Sequence, residues 1–344
     1  MTAALPQRFE DEAHLEDVMT TPSAALIADL RAVDGDLMVL GAGGKMGPTL
    51  ARLAKRAAPE KRVIGVARFS EPGVREALAA GGVECMRTDL LDRAQIYALP
   101  DVANVVFMAG RKFGSTGRED LTWAMNAYVP GLVAERFKRS RIVAFSTICV
   151  YPYVGVASGG AREDATPATP PPGDYANSCV ARERMFEYGS HLHGTPGRLI
   201  RLSYAIDMRY GVLHDVSRKV LASEPIDLAM GHANVIWQGD ANTQVLRTLR
   251  ACTTPCSPLN VTGPETVSIR ALALEFGRRF GRAPLFAREE SVTAWLANTE
   301  AATRLFGYPA IPLSQLIDWT ADWMQRDLPR WNKATHFETR DGVY

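Results

Sequence analysis

Two kinds of apolar pattern alternate along the chain. Leu37 to Leu40, Arg62 to Ala67, Val83 to Thr88, Asn104 to Ala109, Arg141 to Ser146 and Leu199 to Ser203 are short, nearly continuous apolar runs. Such runs predict strands buried on both faces. Between them, Lys45 to Ala58, Val74 to Ala80, Leu121 to Lys138 and Val180 to His191 repeat apolar residues at helical spacing. Strands separated by helices of this length imply an α/β fold with a parallel sheet covered on both sides.

The pattern divides the chain into three parts. Residues 1 to 35 form an N-terminal extension, in which Thr21 and Pro22 read as an N-cap and first helical position ahead of a helix over Ala24 to Ala32. Residues 36 to 205 hold the alternating strands and helices. A proline-rich stretch, Thr166 to Gly173, interrupts them as a surface loop leading into a helix that starts near Tyr175. Residues 206 to 344 are mixed and read as a smaller covering region, with segments returning to the sheet. There Ser268 is placed to cap a helix whose Ile269, Leu272, Phe276 and Phe280 share a face and which Gly281 ends. Further helices are expected at Thr299 to Phe306 and Ser314 to Gln325.

The first strand runs into Gly41, Gly44 and Gly47 and then into a helix. A tight turn at Gly41, close backbone approach at Gly44 and helix-against-strand packing at Gly47 are what a pyrophosphate at a helix N-terminus needs. With a second strand at the right distance, the loop through Lys45 and Met46 reads as a dinucleotide-binding turn of a Rossmann-type doubly wound sheet.

Composition narrows the partners. In 344 residues, 39 Lys and Arg nearly cancel 38 Asp and Glu, and no basic run stands out. A nucleic-acid footprint is therefore not expected, nor is attachment to an anionic membrane. No apolar stretch approaches the roughly 18 residues of a membrane span, and the first residues lack the basic-then-apolar pattern of a secretion signal. The expectation is a cytoplasmic protein with a small-molecule substrate. Five scattered cysteines, Cys85, Cys149, Cys179, Cys252 and Cys256, fit reduced thiols better than a disulfide framework. Cys252 and Cys256 lie beside prolines without a second pair and read as loop residues. His191 and His193, two apart on a helix, fall on different faces and read as surface residues.

With these pieces in order, the chain resembles the extended short-chain dehydrogenase/reductases, the NAD-dependent epimerase and dehydratase group. The resemblance runs from residue 37 to 325. It is carried by Gly41-x-x-Gly44-x-x-Gly47, Asp89-Leu90 after the third strand, Asn126 on the fourth helix, Ser146-Thr147-x-x-Val150-Tyr151, Tyr175 opening a helix, and Leu259-Asn260-Val261-Thr262-Gly263. It implies that Asp89 meets the adenine, that Leu90, Ala109, Gly110 and Asn126 border the cofactor, that Thr147 hydrogen-bonds the reacting oxygen, and that Tyr175 exchanges a proton with it. It also implies a carbohydrate-type substrate and allows a homodimer.

The chain departs from the family pattern at four places. Tyr-x-x-x-Lys becomes Tyr175-Ala176-Asn177-Ser178-Cys179, and a thiol cannot supply the charge that lowers a tyrosine's pKa. Lys112, with Arg111 beside it in the loop after the fourth strand, is the first choice for a substitute cation. Ile148 and Cys149 replace the acidic pair of the 4,6-dehydratases, which argues against elimination by that route. Cys149 and Cys179 are by default small, buried and inert, and at the cofactor if exposed to it. At the end of the second strand Ala67 and Arg68 replace the usual acid, so NADP is favoured and NAD stays open. After Ser203, the usual Gly-Pro gives way to Ala205-Ile206-Asp207-Met208-Arg209, so a smaller sugar, sugar acid or lactone stands beside a nucleotide sugar as substrate. Candidate substrate residues are Arg111, Cys149, Tyr151, Tyr153, Tyr204, Arg209, His214, Trp237 and Gln238. Two functions remain open: an NAD(P)-dependent oxidoreductase or epimerase of a sugar hydroxyl or carbonyl, and a non-catalytic dinucleotide-binding sensor or interaction protein.

Overall fold

The computed structural model describes residues 5–114, 116–167 and 171–342; residues 168–170 of the expected proline-rich loop lie outside the described residues. Seven strands form the central sheet: β1 (Leu37–Leu40), β2 (Val63–Ala67), β3 (Glu84–Arg87), β4 (Asn104–Phe107), β5 (Arg141–Thr147), β6 (Gly197–Leu202) and β7 (Ser257–Val261). All pairings are parallel, and the order across the sheet is β7-β6-β5-β4-β1-β2-β3. The Rossmann-type architecture expected from the sequence is the one found.

The extension before β1 is built into the fold. It contains α1 (Glu12–Met19) and α2 (Ala24–Arg31). Ser23, rather than Thr21, caps α2: its hydroxyl accepts from the Leu26 N–H at 3.2 Å. Leu26 and Leu30 join the sheet core, whereas Phe9, Leu15 and Met19 join a second core with Trp237, Trp319, Trp323 and Phe276 in the C-terminal region. In that region Ser268 caps a helix over Ile269–Phe280, and Gly281 ends it in the left-handed conformation, as its sequence implies.

The continuous apolar runs have a direct cause in packing. Along β1, Leu37 and Val39 face one core while Met38 and Leu40 face another, and all four are buried. A strand alternates its side chains between faces, so a sheet covered on both sides leaves no position for a polar residue. Helix α3 (Gly47–Ala57) brings Leu50, Leu53 and Ala54 to the first core. On the opposite side, α4 (Val129–Arg136) brings Val129, Leu132 and Val133 against Met38, Leu40 and Phe107.

The helical stretch expected at Leu121 to Lys138 is continuous but not uniform. Glu119–Trp123 is α-helical, Ala124–Tyr128 is a π turn, and α4 follows. The turn carries Asn126, a placement often associated with function. Helix α5 (Gly173–His193) is longer than expected and holds Tyr175 in its first turn. The last described residues lie as a strap over the C-terminal ends of the strands. Thr335 donates from its N–H and hydroxyl to Asp215 (2.8 and 2.6 Å), Arg340 donates to the Thr293 carbonyl (2.7 Å), and Trp331 donates to the Arg209 carbonyl (3.2 Å).

Candidate functional site

The strand order reverses between β1 and β4, and in open parallel sheets the crevice outside such a switch point is where ligands bind. Gly41 leaves β1 with φ +100°, and a Cβ there would fall 2.7 Å from the Ala109 backbone nitrogen. At Gly47 a Cβ would lie 2.7 Å from the Ala42 backbone, so α3 packs as closely on the loop as glycine permits. Gly44 is different: only the Gly41 carbonyl oxygen is near, at 3.5 Å. No side chain caps the N-terminus of α3.

Three cavities meet at this loop: one of about 700 Å³, lined by Gly43, Gly44, Lys45, Glu16, Glu71 and Arg209, and two that hold the candidate residues. Of these two, one, of about 210 Å³, is walled by Arg68, Asp89, Leu90, Ala109 and Gly110 along the ends of β2, β3 and β4. The other, of about 360 Å³, holds Lys45, Lys112, Thr147 and Tyr175. Gly41, Gly44 and Gly110 border both. An uncapped helix end, an open Gly44 and a cavity on either side fit a dinucleotide laid across the loop.

In the cavity of about 360 Å³ Thr147 ends β5 and caps the short turn Ile148–Val150, accepting from the Cys149 N–H at 3.2 Å. Its side chain is hydrogen-bonded to Tyr175, and Tyr175 in turn to Cys179. Burial, followed by the neighbouring thiols of Cys179 and Cys149, pushes the Tyr175 phenol well above its ordinary value; Arg182 and the Thr147 hydrogen bond act the other way. Burial pushes Cys179 up to about 11, so it is a thiol at neutral pH. The Lys112 ammonium lies 5.7 Å from the Tyr175 ring centroid and donates to the Thr335 carbonyl at 3.5 Å. Burial lowers its pKa, against the pull of Cys149, Cys179 and Glu338.

The structure thus gathers Gly41, Gly44, Lys45, Met46, Gly47, Gly110, Lys112, Thr147, Cys149, Tyr175, Tyr204 and Gln238 around one cavity, and Arg68, Asp89, Leu90 and Ala109 around its neighbour. Other candidates are employed elsewhere. Arg209 is buried in ion pairs with Asp207, Glu12 and Glu16. His214 sits beside Asp215, Trp237 packs on Phe9 and Trp319, and Tyr151 donates to Asn260. Tyr153 donates to the Arg340 carbonyl. The Arg111 guanidinium donates to the Gly114 carbonyl. Asn126 holds the loop after β4 by accepting from the Arg111 N–H and donating to its carbonyl, both at 2.8 Å.

Arg182 was not foreseen. It is buried, donates to the Asn126 side-chain oxygen at 2.6 Å and to the Phe145 carbonyl at 3.0 Å, and its guanidinium would be 2.6 Å from a Cβ at Gly110. The available signal was spacing: Arg182 is seven residues after Tyr175 and three after Cys179, hence on the same helix face. Phe113, Tyr210 and Trp295 also line the Tyr175 cavity without having been singled out.

No family model and no curated protein matches the chain. Solved structures do match its fold. The UDP-glucuronic acid 4-epimerase from Bacillus cereus, in complex with UDP-glucuronic acid and NAD, superposes with a TM-score of 0.70 at 19% identity over 85% of this chain and 99% of its own. MoeE5, in complex with UDP-glucose and NAD, gives 0.69 at 19% identity over 85% and 99%. The Thermus thermophilus UDP-glucose 4-epimerase, complexed with NAD, gives 0.69 at 19% identity over 84% and 99%. The chain has the fold of these structures.

Proposed function

We propose that this protein is an NAD(P)-dependent oxidoreductase or epimerase acting on a hydroxyl or carbonyl of a carbohydrate-type substrate. One observation carries the reading: Tyr175, Thr147 and Lys112 line the same cavity as the glycine loop. A bound nicotinamide dinucleotide supplies or accepts hydride. The glycine loop and the open N-terminus of α3 hold its phosphates, while Asp89 and Leu90 border the adenosine side. Arg68, with no acid at position 67, supports NADP over NAD; the neighbours named above bind NAD, and both cofactors belong in the test.

The chain's own part in the chemistry is proton traffic. Reaction at a carbinol carbon requires a proton to leave or join its oxygen. The Tyr175 phenol, raised by burial, is neutral at pH 7 and therefore suited to donate to a carbonyl oxygen during reduction, with Thr147 orienting that oxygen. Oxidation needs the phenol to give up its proton first; Arg182 is the cation that lowers its pKa, and Lys112, 5.7 Å from the ring, is the lysine proposed to assist. Cys179 at the usual lysine position is the observation behind a second reading, a dinucleotide-binding sensor without turnover.

No described helix is long and apolar enough to cross a membrane, in keeping with the cytoplasmic placement we favour. A homodimer is supported by Tyr188 and Leu192, 66% and 59% exposed on α5, and by Tyr128, 53% exposed on the π turn that packs against α5.

Calorimetric titration with NAD, NADH, NADP and NADPH tests the binding step, and absence of any binding removes the reading. Turnover on a sugar and sugar-acid panel separates enzyme from sensor. Tyr175→Phe is expected to lower turnover by about 100-fold or more and to leave dinucleotide affinity unchanged. A variant with native turnover removes Tyr175 from the mechanism.

A further inference from the structure

The glycine loop carries a charge that phosphate binding through its backbone does not require. The Lys45 ammonium lies 3.4 Å from the centroid of the Tyr210 ring and 4.8 Å from that of Phe113. Aromatic faces attract a cation, but they do not neutralise it. Lys112 approaches the same Phe113 ring at 5.3 Å. Among the described residues, the walls of this cavity contain these two lysines and neither an aspartate nor a glutamate. Burial, Lys333 and Lys112 together bring Lys45 down to about 8, with Asp215 opposing, so at pH 7 it is still charged. Glu16 and Glu71 line only the cavity on the other side of Lys45, so on this side a partly desolvated cation faces a wall without a carboxylate, a place where an entering anion gains.

The dimensions limit that anion. The cavity measures about 360 Å³ and is shared with the glycine loop's side of the cofactor, near the lower bound of roughly 300–1,000 Å³ for ligand sites. The strap restricts it further: Thr335 is tied to Lys112 and Asp215, and the His336 ring lies 5.9 Å from Phe113. Arg209, a buried cation of this region, borders the neighbouring cavity of about 700 Å³ that Gly44 and Lys45 also line. It is already paired with Asp207, Glu12 and Glu16, so its charge is taken up before the phosphates of a nucleotide joined to the sugar could use it.

We propose that the substrate is a compact carboxylate of sugar-acid size, a hydroxy acid or its oxo-acid partner, with the carboxylate on Lys45 and the reacting oxygen on Tyr175 and Thr147. This rests on the reading of the cavity as an oxidoreductase site. In the oxidative direction the carbinol carbon gives a hydrogen with its electron pair to the oxidised nicotinamide, and the hydroxyl proton leaves through Tyr175. Hydroxy acid and oxidised dinucleotide thus become oxo acid, reduced dinucleotide and one proton, and the carboxylate is unchanged.

The test is calorimetric titration of protein saturated with dinucleotide, using D-glucuronate, D-gluconate, D-glucose and UDP-glucuronic acid as probes. The free acids are expected to bind and neutral glucose to bind roughly 10- to 100-fold more weakly, the size of one lost charge-assisted hydrogen bond. Lys45→Met, titrated at a dinucleotide concentration that saturates the variant, is expected to remove that preference. Equal binding of glucose and the acids by the native protein overturns the proposal without recourse to any variant. So does tighter binding of UDP-glucuronic acid than of glucuronate, or binding of neither free acid. Weakened dinucleotide binding in Lys45→Met with acid binding intact also overturns it, because the ammonium then serves the cofactor phosphates. Failure of every dinucleotide to bind is a separate outcome, which removes the oxidoreductase reading and this proposal together.

Discussion

Gly44 and Gly47 are expected to fail in opposite ways when replaced, although both belong to one loop. At Gly47 an added Cβ meets the Cα, carbonyl carbon and oxygen of Ala42, each at 2.7 Å. These are backbone atoms, so α3 must move off the loop; overpacking of this kind costs about 1–3 kcal/mol. At Gly44 the only close atom is the Gly41 oxygen at 3.5 Å, an ordinary contact, so Gly44→Ala should change stability by no more than about 0.5 kcal/mol. The methyl group would enter the space proposed for the cofactor's pyrophosphate. Gly44→Asp adds a charge there: two like charges about 4 Å apart at an effective dielectric constant near 20 repel by about 4 kcal/mol, or nearly a thousandfold in Kd. Urea unfolding and calorimetric titration measure the two effects separately. Gly47→Ala should unfold at lower urea, while the Gly44 variants unfold near native and lose affinity in the order Ala, then Asp. Native dinucleotide affinity in Gly44→Asp would refute the phosphate cradle, and native stability in Gly47→Ala would refute the tight helix contact.

Arg182→Met removes charged hydrogen bonds to Asn126 and Phe145 and should cost about 1.5–3 kcal/mol. It should also shift the pH profile of Tyr175-dependent oxidation upward, because a cation that lowers the phenol's pKa is gone; Arg182→Lys restores part of the shift, and an unmoved profile assigns Arg182 a packing role alone. Burial raises Asp240 from 3.8 to about 6 while its carboxylate accepts from the Ile311 N–H. The folded state therefore holds this proton more tightly than the unfolded state, and the group's contribution is fully present below about pH 4 and lost as pH rises through 6. Asp240→Asn, which keeps the acceptor, should raise stability at pH 7 by up to about 3 kcal/mol and flatten the pH dependence of urea unfolding; an unchanged profile contradicts the assignment. Tyr188→Glu combined with Leu192→Asp should convert a dimer into a monomer in sedimentation velocity, and a monomeric native protein would refute the α5 interface.

The sheet was legible because its strands are buried on both faces. Leu37-Met38-Val39-Leu40 has to be apolar throughout, since consecutive residues enter different cores. Elements with one face in water or few buried positions were harder to read. Helix α1 buries only Leu15 and Met19, too few to set a period, so it was missed. Thr21 and Ser23 are both good capping residues two positions apart. The choice between them was made by the hydrogen bond from Leu26 to Ser23. The π turn at Ala124–Tyr128 leaves almost no trace in an apolar repeat, yet it holds Asn126 where both its carbonyl and its amide meet the Arg111 backbone.

Chemistry was legible where a motif is local. Thr147 closes a strand and Tyr175 opens a helix, and each reaches the cavity because its element ends there. Partners distant in sequence were not legible, and they decide what a charged residue is free to do. Arg209 has Glu12 and Glu16 nearly two hundred positions away as partners, together with Asp207 beside it, so a cation that reads as an anion receptor is already satisfied. Lys45, inside the glycine motif, reads as one more loop residue; toward the Tyr175 cavity its surroundings are the rings of Tyr210 and Phe113 and a wall without acids. A replacement of Arg209 should therefore act mainly on folding, by stranding the buried Asp207 carboxylate, whereas a replacement of Lys45 should act mainly on what the cavity admits. In a sequence the two residues are simply basic, and it is the distribution of carboxylates around them that leaves only one available to a ligand.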